Sequence, residues 1–171
     1  MGQPSVEPVS PLQARRGRDL QRYTENKERL VAGCIPVRLV ERKDGVRSLE
    51  VLLITSRNQN QGKRGLVLPK GGWETDESLE DAATRETLEE AGVRGSLWGR
   101  DPLGPFTFES KRSGSCKAYM FVMQVEEVLD EWPEQERERS WMSLDDAVRS
   151  CKWDWMKEAL SNSNLIKLLD V

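Results

Sequence analysis

Apolar and polar positions alternate in two different rhythms along this chain of 171 residues. Residues 29–40 (RLVAGCIPVRLV) and 49–55 (LEVLLIT) are apolar and β-branched, which predicts strands, and the ERKDGVRS between them supplies a hairpin turn. Pro36 cannot donate to a ladder, so the first strand is expected to lie at an edge or to carry a bulge there. Residues 66–68 read as a short strand, and apolar pieces recur at 96–98 and 103–108. Residues 118–125 (AYMFVMQV) form the most continuous apolar run and are expected to be central in a sheet. Trp141 is expected to pack at a strand end. The helical rhythm appears in three places. Residues 79–91 are good helix formers, opened by Asp76 or Ser78 and stopped by Gly92. Ser143 with Asp146 makes a capping-box pattern that opens a helix through about residue 151. Residues 153–160 predict a last helix with Trp155, Ala159 and Leu160 inward. Strands before and after a helix, with more helices behind, give an α/β layer architecture with a mixed sheet.

The first of these helices carries an anomaly. At about 100° per residue, Leu79, Ala82 and Ala83 form a core-facing side. The same side continues into Glu86, Glu89 and Glu90, whose spacing brings three carboxylates together at the helix C-terminus. Like charges repel there, and a helix C-terminus disfavours anions. A solvated charged face would explain most such runs. This one extends a buried stripe, so a hard divalent cation is the simplest relief: Mg2+ accepts carboxylate oxygens and bridges to phosphates. Pro69, Lys70, Gly71 and Gly72 precede the helix as a tight turn where backbone approaches a ligand.

Residues 71–93 (GGWETDESLEDAATRETLEEAGV) resemble the Nudix box, with Gly71, Glu77, Arg85, Glu86, Glu89, Glu90, Gly92 and Val93 standing where its pattern requires. Seven identities at ordinary background frequencies correspond to a chance match on the order of 10⁻⁸ per window. Thr87 departs from the usual aliphatic residue, a change that touches the packing behind the helix. The resemblance spans roughly residues 29–160 and implies a Nudix-type α/β/α sandwich with a mixed β-sheet. It implies Mg2+-dependent hydrolysis of a phosphoanhydride, with Mn2+ as a substitute. Glu86, Glu89 and Glu90, with the carbonyl of Gly71, are the implied metal ligands. Glu89 or Glu86 is the implied base, Glu89 being preferred, and Glu77 and Arg85 support the box.

Composition narrows the chemistry further. There is no histidine, which excludes Ser-His-Asp and Cys-His catalysis and histidine zinc sites. Net charge is −3, so no global basic field recruits nucleic acid. Three cysteines without paired spacing suit a reducing compartment. No apolar run is long enough for a membrane span, and the start fits neither a secretory signal nor, with Val6 in place of Ser or Thr, a myristoylation site. A cytoplasmic monomer is the expectation. Residues 1–26 read as a flexible tail whose arginines either attract an anion or form a targeting segment, 27–163 as the domain, and 164–171 as a C-terminal tail.

For the substrate, Arg29, Ser56, Arg57, Lys63, Arg64, Lys70, Gly71, Gly72, Arg139 and Lys152 are the candidate contacts. They come from separate segments, as do Arg22, Lys27, Lys111, Arg112, Lys117 and Arg137, and would converge on a ligand rich in phosphate. GLVLPKGGWETDES and WPEQERERSWMSLDDA are similar to the diphosphoinositol polyphosphate and diadenosine polyphosphate phosphohydrolase branch, especially its plant members. That resemblance implies removal of the β-phosphate of inositol pyrophosphates, or cleavage of diadenosine polyphosphates. The alternatives are a Nudix pyrophosphatase acting on ADP-ribose, NADH or capped RNA, a non-catalytic polyphosphate sensor, and a structural or interaction protein.

Overall fold

The computed structural model describes residues 14–15, 17–57 and 65–169. Strands β1 (Arg29–Glu41) and β2 (Arg47–Thr55) form the expected hairpin, closed by Arg42 N–H donating to Val46 O at 2.9 Å. Next come β3 (Leu66–Val67), β4 (Lys70–Gly72), α1 (Leu79–Ala91), β5 (Val93–Ser110), β6 (Gly114–Val128) and β7 (Arg139–Ser143). Three short helices follow: α2 (Leu144–Ser150), α3 (Asp154–Leu160) and α4 (Ser163–Leu169). The sheet runs β3-β2-β1-β6-β5, with β4 added to β1 and β7 to β2. It is mixed, because β1 and β6 are parallel while the other pairs are antiparallel.

Register shows that helices cover both faces. Cys34 pairs with Phe121, and Cys34 Sγ reaches Ala83 O of α1 at 3.5 Å, so this face lies under α1. Phe106 pairs with Ala118, which points the other way along β6, and Phe106 and Phe108 pack on Trp155 of α3. The result is an α/β/α sandwich whose largest fully buried side chains include Phe121, Ile35, Leu52, Leu53, Met120 and Met156.

Pro36 sits in an interior strand, not at an edge. Cys34 N–H donates to Pro69 O, and two residues on Pro36 faces the same side. There β1 has left β4, paired through Gly33, and meets β2 only from Val37. The missing donor therefore falls in a gap between partners. The pieces at 96–98 and 103–108 are one strand, β5, and the break between them is a register shift between Trp98 and Leu103.

Both expected tails are corrected where they are described. Arg22 N–H donates to Trp73 O at 3.0 Å, Leu30 N–H to Arg22 O at 3.1 Å and Thr75 N–H to Leu20 O at 2.7 Å. Residues 20–24 are therefore tied to β1 and to the turn after β4; residues 1–13 lie outside the described residues. At the other end α4 brings Leu165 into the core. The polar C-terminal sequence hid one buried anchor, Leu165, and the N-terminal one a set of backbone hydrogen bonds.

The stop after α1 is the most constrained turn. Gly92 adopts φ 64°, and a Cβ there would stand 2.6 Å from the Trp132 ring. Gly92→Ala should cost about 2 kcal/mol from the left-handed backbone alone, read as an earlier urea midpoint, with more from the clash. An unchanged midpoint would show that the turn relaxes freely.

Candidate active site

Helix α1 is built as its sequence prescribes. Ser78 caps it by accepting from Asp81 N–H at 3.1 Å, and the apolar stripe continues into carboxylates that are themselves buried. Glu86, Glu89 and Glu90 are only 9%, 4% and 9% exposed. Thr87, fully buried, donates to Ala83 O at 2.7 Å, so the departure from an aliphatic residue is satisfied within the helix.

Arg85 organises the acidic side. Its Nε and Nη2 meet the two oxygens of Glu77 at 2.9 and 2.7 Å, a bidentate pair. Nη2 also donates to Gly72 O at 2.9 Å, while Nη1 is shared between Glu86 at 2.9 Å and Glu89 at 3.2 Å. Glu90 is held separately, by Lys70 N–H at 3.1 Å and by Arg137 at 3.5 Å. Arg137 in turn bonds Glu134 and Thr55 O. Arg15 N–H donates to Glu89 at 3.1 Å, and its guanidinium pairs with Glu74 and Asp76.

The carbonyls at the end of α1 are fully assigned. Glu134 N–H donates to Glu89 O at 3.0 Å and Trp132 Nε1 to Glu90 O at 3.1 Å. Arg139 donates to Ala91 O and Gly92 O at 3.3 Å while stacking on Trp132. Arg139 is thus a cap on the helix terminus, where a cation is favoured. The ammonium of Lys152 lies over the Trp153 ring at 4.6 Å, and its side chain packs on Gly65.

The two glycines of β4 make the geometry possible. A Cβ on Gly71 would collide with the Glu86 carboxylate, and one on Gly72 with Gln21 and with Arg29 Nη2, the latter at 2.9 Å. Gly71 pairs with Ala32 and Gly72 with Val31, so they face opposite sides of the sheet. One bare strand therefore carries an anion on one face and a cation on the other. Arg29 is half-buried and makes no ion pair among the described residues; burial and the nearby Arg18 lower its pKa. Lys70 pairs with Gly33, on the face of Arg29. Ser56 and Arg57 follow the end of β2, where Arg57 is 3.8 Å from Glu134, the partner of Arg137. Ser56 Oγ is buried with no hydrogen-bond partner among the described residues. Lys63 and Arg64 lie outside the described residues.

A family model described as the NUDIX domain matches residues 28–162. The chain belongs to the Nudix family. As a Nudix hydrolase it cleaves phosphoanhydride bonds. It is 48% identical over 169 residues to Nudix hydrolase 13, mitochondrial, of Arabidopsis thaliana, covering 89% of this chain and 81% of that protein. It is 37% identical over 121 residues to the mouse diphosphoinositol polyphosphate phosphohydrolase 3-alpha, covering 69% and 66%. Among solved structures, a C. elegans Ap4A hydrolase binary complex superposes with TM-score 0.54 at 21% identity, over 82% of this chain and 98% of that one. That last likeness carries the fold.

Sequence reading missed Glu134, Arg15 and Gln21 in this Nudix hydrolase, and counted Arg137 with the ligand cations although it pairs with Glu90 and Glu134. Glu134 and Arg137 stand three apart with opposite charge, but nothing in their spacing says that the loop folds back onto α1. Arg15 and Gln21 lie in the segment expected to be a tail. As the side chains lie, the acidic groups face Arg85 and Arg137, and no three metal-binding side chains converge on one point among the described residues. The donor set is nevertheless that of a hard cation: clustered, buried carboxylate oxygens against a bare glycine backbone.

Electrostatics agree. Burial, with Glu90 adding repulsion, pushes the Glu86 carboxyl up to about 8. Burial raises Glu89 and Glu90 as well. The folded pKa of Glu86 exceeds the unfolded value of 4.5, so the native state binds the proton more tightly. Without metal, stability should therefore rise as pH falls from about 8 towards 4.5, and be lowest above that window. Melting in a chelator across this range checks it: Glu86→Gln should flatten the slope, and an equal slope in the variant would contradict the burial cost.

Proposed function

We propose that this Nudix hydrolase removes the β-phosphate of diphosphoinositol polyphosphates and also cleaves diadenosine polyphosphates. The observation that carries the reading is a half-buried arginine with no carboxylate partner among the described residues, set one glycine away from a carboxylate cluster. Arg29, Lys70 and Arg18 give a multiply charged anion several contacts, and the buried Ser56 hydroxyl, without a partner among the described residues, is a further donor. Gly71 and Gly72 let phosphate oxygens approach the backbone. The name of the mouse relative, a diphosphoinositol polyphosphate phosphohydrolase, supports the first substrate, and that of the Ap4A hydrolase the second.

Glu86, Glu89, Glu90 and the Gly71 carbonyl would hold Mg2+, or Mn2+ in its place. When bound there, the ion neutralises phosphate oxygens and makes a water more acidic. Glu89 is the proposed base that takes the proton from the attacking water, and Arg85 orients it through Nη1. Burial, which raises its pKa, suits a carboxylate that must accept a proton near neutrality. Glu77 keeps Arg85 in place by the bidentate pair.

A nucleotide substrate has one specific observation in its favour. Tyr23 is 49% exposed and bridges to Arg29, which leaves an aromatic face on which a base could stack beside the cations. Trp132 offers no such face, because Arg139 and the Gly92 backbone cover it. As for compartment, no helix among the described residues is long and apolar enough to cross a membrane. The cytoplasm remains our proposal, although the Arabidopsis relative is named mitochondrial.

Incubation with Mg2+ and a panel of a diphosphoinositol pentakisphosphate, diadenosine hexaphosphate, ADP-ribose and a nucleoside triphosphate ranks the substrates. The inositol pyrophosphate should turn over fastest, releasing orthophosphate; ADP-ribose in first place would overturn the substrate reading. Glu89→Gln and Glu90→Gln should each lower kcat by at least about a hundredfold while the fold persists. Near-normal turnover in either variant would refute its role, and a tightly binding but inert wild type would favour the sensor.

A further inference from the structure

We propose that Gln21 is a positioning residue for substrate binding: its amide oxygen fixes the Arg29 guanidinium so that its outer nitrogens stay free for the ligand. The inference rests on the reading of Arg29 as an anion contact.

The contacts of this one amide separate scaffold from function. Gln21 Nε2 donates to Leu30 O at 2.9 Å, Arg22 O at 3.0 Å and Trp73 O at 3.2 Å. Each of those carbonyls already accepts a backbone N–H: Leu30 O from Trp73, Arg22 O from Leu30 and Trp73 O from Arg22. The backbone knot between the N-terminal segment, β1 and the turn after β4 therefore closes without Gln21. What Gln21 alone supplies is the acceptor for Arg29 Nε, at 3.0 Å.

Its orientation has no alternative. A flipped amide would face its oxygen to three carbonyls and its N–H groups to the Arg29 N–H, unfavourable at every contact. The site is also built around it, since a Cβ on Gly72 would collide with Gln21 Oε1 and crowd Arg29 Nη2. Among the described residues Nη1 and Nη2 of Arg29 make no ion pair and no hydrogen bond. A neutral acceptor is the right partner for such a group. A carboxylate at position 21 would set its second oxygen against the same three carbonyls and would neutralise Arg29, so the attraction for phosphate would fall. Glutamine orients the cation and leaves its charge unspent.

A double-mutant cycle in the full-length protein decides the point. The readouts are the Kd of inorganic tripolyphosphate, by calorimetry with Mg2+, and KM and kcat for the preferred substrate of the panel. Gln21→Met keeps the size and removes the polar atoms. It should weaken tripolyphosphate about tenfold, the scale of one hydrogen bond to a charged group, with the loss falling on KM more than on kcat. In an Arg29→Ala background the same change should alter Kd by less than about twofold, because the two act as one unit. Equal losses in both backgrounds would overturn the inference and leave Arg29 as a contact. No loss from Arg29→Ala alone would overturn both. Gln21→Ala repeats the cycle should methionine overfill the site, and loss of folding in both variants would make Gln21 part of the scaffold and overturn a positioning role.

Discussion

Burying three like charges at the negative end of a helix is the constraint around which this molecule is arranged. Glu86, Glu89 and Glu90 each lose water, and burial raises the pKa of all three. The protein answers from several directions. Arg85 serves Glu86 and Glu89 with one nitrogen, while Lys70 N–H and Arg137 serve Glu90. The helix carbonyls that would add further negative potential are capped by Glu134 N–H, Trp132 and Arg139. None of this removes the charge; it keeps the charge tolerable and near ionisation, the state in which a divalent cation gains most from the cluster.

Arg85 is effective because its own position is over-determined. Glu77 takes two of its donors and Gly72 O another, so the guanidinium cannot swing away to satisfy only one carboxylate. The residues that look like bystanders in the motif thus set the geometry of those that look chemical. The glycines act in the same sense. Glu86 and Arg29 reach β4 from opposite faces only because Gly71 and Gly72 put nothing between them and the backbone.

Much of this was legible in sequence, for identifiable reasons. α1 declared itself through Ser78, its apolar stripe and Gly92, and the burial of its glutamates followed from their phase in that stripe. β1, β2 and β6 were visible because their side chains are β-branched and apolar. Less visible were contacts between segments whose meeting depends on tertiary closure. The charge of Arg139 is plain in sequence, whereas its acceptors, Ala91 O and Gly92 O, are backbone atoms that any residue would present. Residues 20–24 looked like a tail because their attachment runs through backbone hydrogen bonds, which leave no trace in residue type. Pro36 misled for a related reason: a missing donor is harmless wherever the neighbouring strand is also missing.

The distinction that matters for activity is between cations that are consumed by the fold and those that are not. Arg85, Arg137 and Arg139 are committed to carboxylates or helix carbonyls, so their charge cancels against the protein's own. Among the described residues Arg29 has a neutral amide as its side-chain partner, and its half-burial makes that arrangement costly in the absence of an anion. The same cost recurs with opposite sign at Glu86, one residue away along β4. The cation and the anion stand across one strand without a direct ion pair: Glu86 lies close enough to raise the Arg29 pKa, but burial and Arg18 lower it by more. A phosphate chain with its metal ion would relieve both at once, supplying negative charge to the arginine and positive charge to the glutamates. In the proposed reading the fold stores binding energy of that kind before the ligand arrives, because the glycines of β4 let Glu86 and Arg29 approach one strand from opposite faces.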